Sequence, residues 1–284
     1  STFQSRIRGA LCESCGWNGR SAGLPLLGTT WQRTSEFQYN STPEARPKLA
    51  TSNKIPCFPF ESNYATIDGF KLHYVDESEG PIILLIHGQP TWIFLYRKMI
   101  PPLVEAGFRC VAPDLAGFGM SDKPIEESAY TLRRHVDLVS GLIAELNLEG
   151  VTVVGQDWGG PVWLRYAIDH RDNVKALVIL NTLIDIQQMP MFFKVMFRSG
   201  GLSSFLSRDL DLFRKMAFSV GFKRPLSKEA KAMYNLPSKN SSARGGGAVF
   251  PKMIPTNERH ENAGYISEIS QTLKTWDVPV LVCF

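Results

Sequence analysis

The run Val151-Thr152-Val153-Val154-Gly155-Gln156-Asp157-Trp158-Gly159-Gly160 constrains this chain more than any other stretch. A β-branched segment enters a glycine-flanked turn, and Pro161-Val162-Trp163-Leu164 can continue from it as a helix. Strand, sharp turn and helix therefore meet with an acidic residue at the apex. The spacing is G-x-D-x-G, and Gly155 and Gly159 suit a strained turn that leaves little room for a Cβ on either side. Asp157 gains from the helix N-terminus, whose free N–H groups and dipole stabilise negative charge.

Strands alternating with helices occupy much of the remaining chain. Residues 64–67 and 70–76 read as a hairpin around Asp68-Gly69. Residues 82–86 form a short continuous apolar run, the mark of a strand buried on both faces. Helical periodicity over residues 93–106 stops at Gly107, and 109–112 is again a strand. Residues 130–146 form an amphipathic helix with Thr131 as its cap, and 174–180 is the strand after the elbow helix. The fold class is α/β, with a mostly parallel, doubly wound sheet.

From residue 184 the rhythm changes. Residues 186–233 are rich in Met, Phe, Lys and Arg at helical spacing, residues 238–247 are a polar glycine-rich loop, and strand character returns only at Val278. A helical insert between two strands is most simply a cap over the C-terminal ends of the sheet. Met191, Phe192, Phe193, Met196, Phe197, Phe205, Phe213, Met216 and Phe218 read as the core of that cap. The division is therefore 54–183 for the first part of the core, 184–275 for the helical cap and 276–284 for the start of the second part. Residues 277–284 read as a buried strand with nothing after it, so the chain is expected to be truncated at its C-terminus. Residues 1–53, with Arg6, Arg8, Arg20 and Arg33 and few acids, form a disordered or targeting-like extension outside the fold.

Composition narrows the function classes. A net charge of +4, dispersed along the chain, argues against nucleic acid as a partner. The longest apolar run is strand-sized, which argues against a membrane span. Five irregularly spaced cysteines suit a reducing compartment, and the lone Cys12-Glu13-Ser14-Cys15 reads as incidental rather than as a metal site. The expected location is cytoplasmic, or mitochondrial if the extension is a presequence. Neither metal nor cofactor is expected.

At such an apex an aspartate, ordinarily ionised at neutral pH, can attack an electrophilic carbon that carries a leaving group, forming an ester. Water must then cleave that ester, which calls for a general base and oxyanion donors. The plainer reading of Asp157 is a helix cap; the flanking glycines and the buried strand before it favour the nucleophile. The arrangement is the nucleophile-elbow pattern with aspartate in place of serine. His87-Gly88-Gln89-Pro90 follows the strand at 82–86, where such folds place the oxyanion loop, so the backbone N–H groups of Gln89 and Trp158 are the expected donors. His87, directly after a strand on that side, reads as structural.

Three motifs in order carry a resemblance. His87-Gly88-Gln89-Pro90-Thr91-Trp92 with Leu95-Tyr96-Arg97-Lys98-Met99-Ile100-Pro101, the run from Pro113 to Pro124, and Gln156-Asp157-Trp158-Gly159-Gly160 together resemble the haloalkane dehalogenases of the α/β-hydrolase fold. The match covers about residues 60–183 strongly and the cap only through Phe250-Pro251-Lys252-Met253. The resemblance implies a cofactor-independent hydrolase that turns a haloalkane and water into alcohol and halide through a covalent aspartyl-alkyl ester. It makes Asp157 the nucleophile, Trp158 an oxyanion donor and, through its indole N–H, a halide ligand, and Gln89 an oxyanion donor whose side-chain amide is the second halide donor. Indole suits a soft anion in a dry pocket, being a donor only and otherwise apolar. The implied partners are a small halogenated substrate, a halide ion and water, met by a monomer.

The sequence departs from the family at several points. Residues 184–275 contain no tryptophan to act as a cap halide donor. Asn181-Thr182 stands where an acid is expected, with Asp185 beyond the turn, and the alternative acid position would follow Val282 to Phe284. The family's catalytic histidine would lie further downstream, and none of His73, His135, His170 or His260 stands in its place, so turnover is expected to be impaired. Two other functions share much of this pattern. One is an epoxide hydrolase acting on an epoxide substrate, with Tyr234 and Tyr265 as its proton donors. The other is a non-catalytic α/β-hydrolase-like binding protein.

Overall fold

The computed structural model describes residues 58–182, 205–222, 225–255 and 257–283. Strands β1 (Asn63–Ile67) and β2 (Phe70–Glu77) pair antiparallel, with Ile67 opposite Phe70. That register leaves Asp68 and Gly69 as a two-residue turn, both at positive φ (46° and 79°), as the twist of a tight hairpin requires. Strands β3 (Ile82–Ile86), β4 (Arg109–Pro113), β5 (Val151–Gln156), β6 (Val174–Leu180) and β7 (Val280–Cys283) complete a sheet of order β1-β2-β4-β3-β5-β6-β7. All pairings from β4 to β7 are parallel, and β2 joins β4 antiparallel. The α/β-hydrolase sheet expected from the sequence is therefore present.

Alternation within β3 shows how the sheet is buried. Ile83 and Leu85 pack on one face with Ile93, Phe94 and Ile100, while Leu84 and Ile86 pack on the other with Trp163 and Leu164. The helical run predicted over 93–106 is two elements, a 3-10 helix over Ile93–Lys98 and α1 (Ile100–Glu105). Pro101 and Pro102 explain the break. Proline has no N–H to give the preceding turn and its ring crowds that turn, but it is tolerated where a new helix begins. Helix α2 (Leu132–Glu145) starts where expected, the Thr131 hydroxyl accepting the Arg134 N–H at 3.0 Å. Helix α3 (Gly159–Asp169) follows the elbow directly.

Between β6 and β7 lie α4 (Leu212–Val220), α5 (Lys228–Asn235), α6 (Gly245–Val249) and α7 (Ala263–Leu273). Of the proposed cap core, Met191, Phe192, Phe193, Met196 and Phe197 lie outside the described residues. Phe218 packs against Phe222 and Tyr234 as expected, but Phe205 is 49% exposed and belongs to none of the core clusters among the described residues. The cap's deepest anchors are Phe250 and Met253, both buried in the cluster that contains Trp158 and Trp163. Strand β7, expected to be buried, is the outer strand of the described sheet; it pairs only with β6 there, and Val282 is 53% exposed. The proposed 1–53 extension, Cys12 and Cys15 fall outside the described residues. Among the described residues no helix is long and apolar enough to cross a membrane.

Candidate active site

Strand β5 delivers Asp157 to the C-terminal edge of the sheet, and α3 begins two residues later. Asp157 has φ of +53°, so the strain of the elbow sits on the acid itself. The glycines serve close approach instead. A Cβ on Gly159 would overlap the carbonyls of Ile86 and His87, and one on Gly88 would overlap the Asp157 side chain. Bare backbone at these two positions lets the loop after β3 close onto the elbow.

The Gln89 N–H donates to Asp157 Oδ1 at 2.8 Å, and the Trp158 N–H also donates to the carboxylate. The two donors come from opposite sides of the elbow, and both are fixed by the path of the chain. Gly88, in turn, is pinned by its carbonyl, which accepts the Thr91 N–H at 3.0 Å and the Thr91 hydroxyl at 2.8 Å. The Gln89–Pro90 peptide is cis.

Crowding by protein raises the Asp157 pKa from 3.8 to about 6, against the opposing pull of the Trp158 and Gln89 N–H groups. The sequence suggests an ordinary, fully ionised carboxylate. The structure instead gives one that is mostly ionised at pH 7 and titrates just below it.

His87 props the loop. Its Nδ1–H donates to the Gly88 carbonyl at 3.0 Å and its Nε2 accepts the Leu115 N–H at 3.0 Å, which fixes the neutral tautomer. Burial holds its pKa below the ordinary value, opposed by the Asp114 charge and the Gly88 bond. The other histidines are placed elsewhere. His73 is bonded to Asp114, His135 lies between Tyr130 and Phe250, His170 stacks on Tyr166, and His260 donates to the Lys252 carbonyl at 2.9 Å. All five histidines of the sequence fall among the described residues, and none is bonded to Asp157.

Trp158, 8% exposed, lies edge-to-face with Phe250 at 5.6 Å and forms part of the seam between core and cap. The Gln89 side chain, expected to present its amide to a halide, donates through Nε2 to the Gly247 carbonyl of α6 at 2.8 Å. An amide nitrogen carries two hydrogens, so one donor remains after the cap bond. The elbow therefore brings Asp157, Trp158 and the backbone of Gln89 together, while the Gln89 side chain also ties the loop to the cap. A small open cleft adjoins Gln89, lined by Phe118, Phe213, Arg214, Arg244 and Gly247 among others.

Two contacts have no clear signal in the sequence. Thr182, at the position expected to be acidic, directs its hydroxyl to the carbonyls of Leu180 at 3.1 Å and Asp157 at 3.4 Å, supporting the elbow from behind. Gly247 meets Gln89 through its backbone, which no side-chain pattern reveals. Asp185 lies outside the described residues. Tyr234 accepts from Arg97 at 3.3 Å and packs against Phe94, whereas the Tyr265 ring lies under the Arg165 guanidinium at 4.8 Å. Neither tyrosine is bonded to Asp157 or Gln89. Among the described residues no group of three His, Cys, Asp or Glu side chains is placed to hold a metal ion.

The sequence profile of the alpha/beta hydrolase fold family matches residues 81–281. A haloalkane dehalogenase of Mycolicibacterium paratuberculosis is 35% identical over 237 residues, spanning 80% of this chain and 76% of that protein. A cis-3-alkyl-4-alkyloxetan-2-one decarboxylase of Shewanella oneidensis is 34% identical over 234 residues, spanning 80% and 73%. Among solved structures, the haloalkane dehalogenase DpaA from Paraglaciecola agarilytica aligns with a TM-score of 0.66 at 31% identity, covering 80% of this chain and 77% of that one. The haloalkane dehalogenase DatA from Agrobacterium tumefaciens aligns at 0.70 with 26% identity, covering 78% of each chain.

Proposed function

We propose, for a chain that belongs to the α/β-hydrolase fold family and to its haloalkane dehalogenase members, that this hydrolase cleaves the carbon–halogen bond of small haloalkanes through a covalent ester on Asp157. The observation that carries the reading is the 2.8 Å bond from the Gln89 N–H to Asp157 Oδ1 at a left-handed apex. The Gln89 N–H anchors Oδ1, and in the proposed reaction Oδ2 approaches an sp3 carbon from the side opposite its halide.

In the first step an Oδ2 lone pair forms the new C–O bond as the C–X bond breaks, and halide departs with the bonding pair. The Trp158 indole N–H and the second Gln89 amide hydrogen are its donors. In the second step water attacks the ester carbonyl carbon, and charge develops on the oxygen held by the Gln89 and Trp158 N–H groups. An oxyanion donor of this kind contributes about 10²–10³ in rate. That step also needs a base. No histidine among the described residues is bonded to Asp157, so these residues support alkylation better than release, and the alkyl ester is expected to accumulate on Asp157.

Incubation with 1-bromobutane tests this directly. Bromide release should approach one equivalent per chain, accompanied by a butyl adduct that peptide mapping places on Asp157. Asp157→Asn should release none. Equal bromide release from both proteins would sink the reading.

The decarboxylase relative supplies a second substrate class, because it is as similar to this chain as the dehalogenases are. An alkyl-substituted oxetan-2-one should be offered in parallel. Alkene and CO₂ from it, without bromide from bromobutane, would move the proposal to that class. The epoxide alternative gains no support from Tyr234 and Tyr265, which are engaged away from the elbow. We propose a cofactor-independent monomer with substrate, halide and water as its partners, located in the cytoplasm.

A further inference from the structure

A second set of side chains in this molecule has the form of a nucleophile, its base and an orienting acid. Ser62 precedes β1, His73 lies on β2 opposite Tyr64, and Asp114 follows β4. The Ser62 hydroxyl is 2.9 Å from His73 Nε2, and His73 Nδ1 is 2.7 Å from Asp114 Oδ2. Asp114 is fully buried and also accepts the N–H groups of Ile93 on Oδ1 and Met120 on Oδ2, each at 2.8 Å.

These bonds fix the protons. Burial by itself would raise the Asp114 pKa, but the hydrogen bond from His73, the nearby His73 and His87 rings and the Ile93 N–H together carry it below the ordinary value. Asp114 is therefore an acceptor at neutral pH, so His73 carries its hydrogen on Nδ1. In the neutral imidazole, Nε2 then carries the lone pair that faces the Ser62 hydroxyl, 2.9 Å away. That is a serine with its general base in hydrogen-bond reach and the base held in one tautomer by a third group.

The same bonds can also be read as a staple between the hairpin and the segment after β4. Ser121 shows what a purely structural serine looks like here. It is 2% exposed, accepts the His73 backbone N–H at 2.8 Å and donates to the Asp114 carbonyl at 2.7 Å, so its hydroxyl meets backbone on both sides. Ser62 differs on each count. Its hydroxyl lies on the base's lone pair, and the residue is half-buried while His73 and Asp114 are sealed beneath it.

We infer that Ser62 is a second nucleophilic centre, separate from Asp157, which takes acyl or phosphonyl groups from small activated donors. The Ser62 Oγ–H proton passes to His73 Nε2 as Oγ forms a bond to the acyl carbon or phosphorus. The bond to the leaving group breaks, and the leaving group departs with its electron pair, taking the proton from His73 where it needs one. For an acyl donor, water repeats the sequence with His73 as base and returns free Ser62 and the carboxylic acid. The donor class follows from what lies beside the serine. The adjacent Glu61 N–H is occupied by the Glu77 carboxylate at 3.3 Å, so the site offers little oxyanion stabilisation. It therefore suits aryl esters and fluorophosphonates, whose leaving groups depart readily, rather than alkyl esters or amides.

The test uses the intact chain and a fluorophosphonate probe, with peptide mapping of the labelled serines. Ser62 should be modified about 10²-fold faster than exposed serines such as Ser241, the minimum that a positioned base supplies. The label should persist in Asp157→Asn. In parallel, Ser62→Ala should lose most of the p-nitrophenyl acetate hydrolysis while bromide release from bromobutane is unchanged. A mere staple would move neither readout. Labelling of Ser62 at the rate of other serines, or ester hydrolysis equal in Ser62→Ala and the parent chain, would overturn the inference. Neither result touches the role of Asp157, which bromide release reports separately.

Discussion

The two walls of the proposed site are made by different means. On the elbow side the groups that meet Asp157 are backbone N–H donors of Gln89 and Trp158, held by a chain path that needs glycine at positions 88 and 159. On the cap side the wall is a set of side chains, Phe213, Arg214 and Arg244, with the Gly247 carbonyl as the link to Gln89. Backbone donors cannot be retuned one residue at a time, because any Cβ that enters their path moves the whole loop. Side-chain walls can. In the proposed reaction the elbow would fix which bond is attacked, and the cap side chains that line the cleft beside Gln89 would govern what reaches it.

The largest way to test that division is Asp157→Asn. Activity should fall by about 10⁴ or more, as for removal of a principal nucleophile. Stability should move the other way. The folded pKa of about 6 lies above the ordinary 3.8, so the protonated acid favours the folded state at low pH, and that contribution is lost as pH rises through 6. A rise of roughly two units corresponds to about 3 kcal/mol. Denaturation of the variant at pH 8 should show a gain of up to about that size, shrinking towards pH 4. A variant less stable than the parent at pH 8 would mean that the charge is better solvated than its surroundings suggest.

Titration of the parent chain follows from the same group. The single-turnover release of bromide should be flat above pH 7 and fall about tenfold per unit below 6, because only the ionised carboxylate attacks. A profile level down to pH 5 would place the Asp157 pKa near its ordinary value.

Glycine substitutions compare the walls in stability alone. Gly159→Ala drives a Cβ into the Ile86 and His87 carbonyls and should cost about 1–3 kcal/mol or more. Gly247→Ala, within α6, places its Cβ no closer than 4.0 Å to Gln89 Nε2 and should be neutral, or stabilising by up to about 1 kcal/mol. Thermal unfolding of the two variants side by side measures the contrast; equal losses would erase it.

This contrast also explains what could be read from the sequence. β3 was legible to the residue because both of its faces are buried, and Thr131 was legible as a cap because a hydroxyl there has one local use. The elbow was legible because G-x-D-x-G records steric limits on the backbone. The break before Pro101-Pro102 was present in the letters but hidden by apolar periodicity that ran across it. The cap contacts were not legible. Gly247 acts through a carbonyl that every residue type has, and the exposure of Phe205 depends on packing that helical spacing does not encode. The elevated pKa of Asp157 was hidden for a related reason, since crowding is a property of the assembled elbow rather than of any one residue.

The smallest expected effects test how the two walls are joined. Gln89→Met keeps the backbone N–H on Asp157 but removes the side-chain bond to the Gly247 carbonyl. The carbonyl is then left without that donor, at a cost of about 1–3 kcal/mol. Lys252 also joins cap to core, through a 2.7 Å ion pair with Glu127, but both side chains remain substantially exposed (28% and 41%). Water competes for such a pair and salt screens it, so Lys252→Met should change stability by no more than about 1 kcal/mol. The kinetic readouts should separate further. Gln89→Met should slow bromide release through loss of a halide donor, whereas Lys252→Met should leave the rate unchanged at any salt concentration. If Lys252→Met slows release and Gln89→Met does not, the cap is positioned by its surface contacts, and the Gln89–Gly247 bond is only incidental to closure.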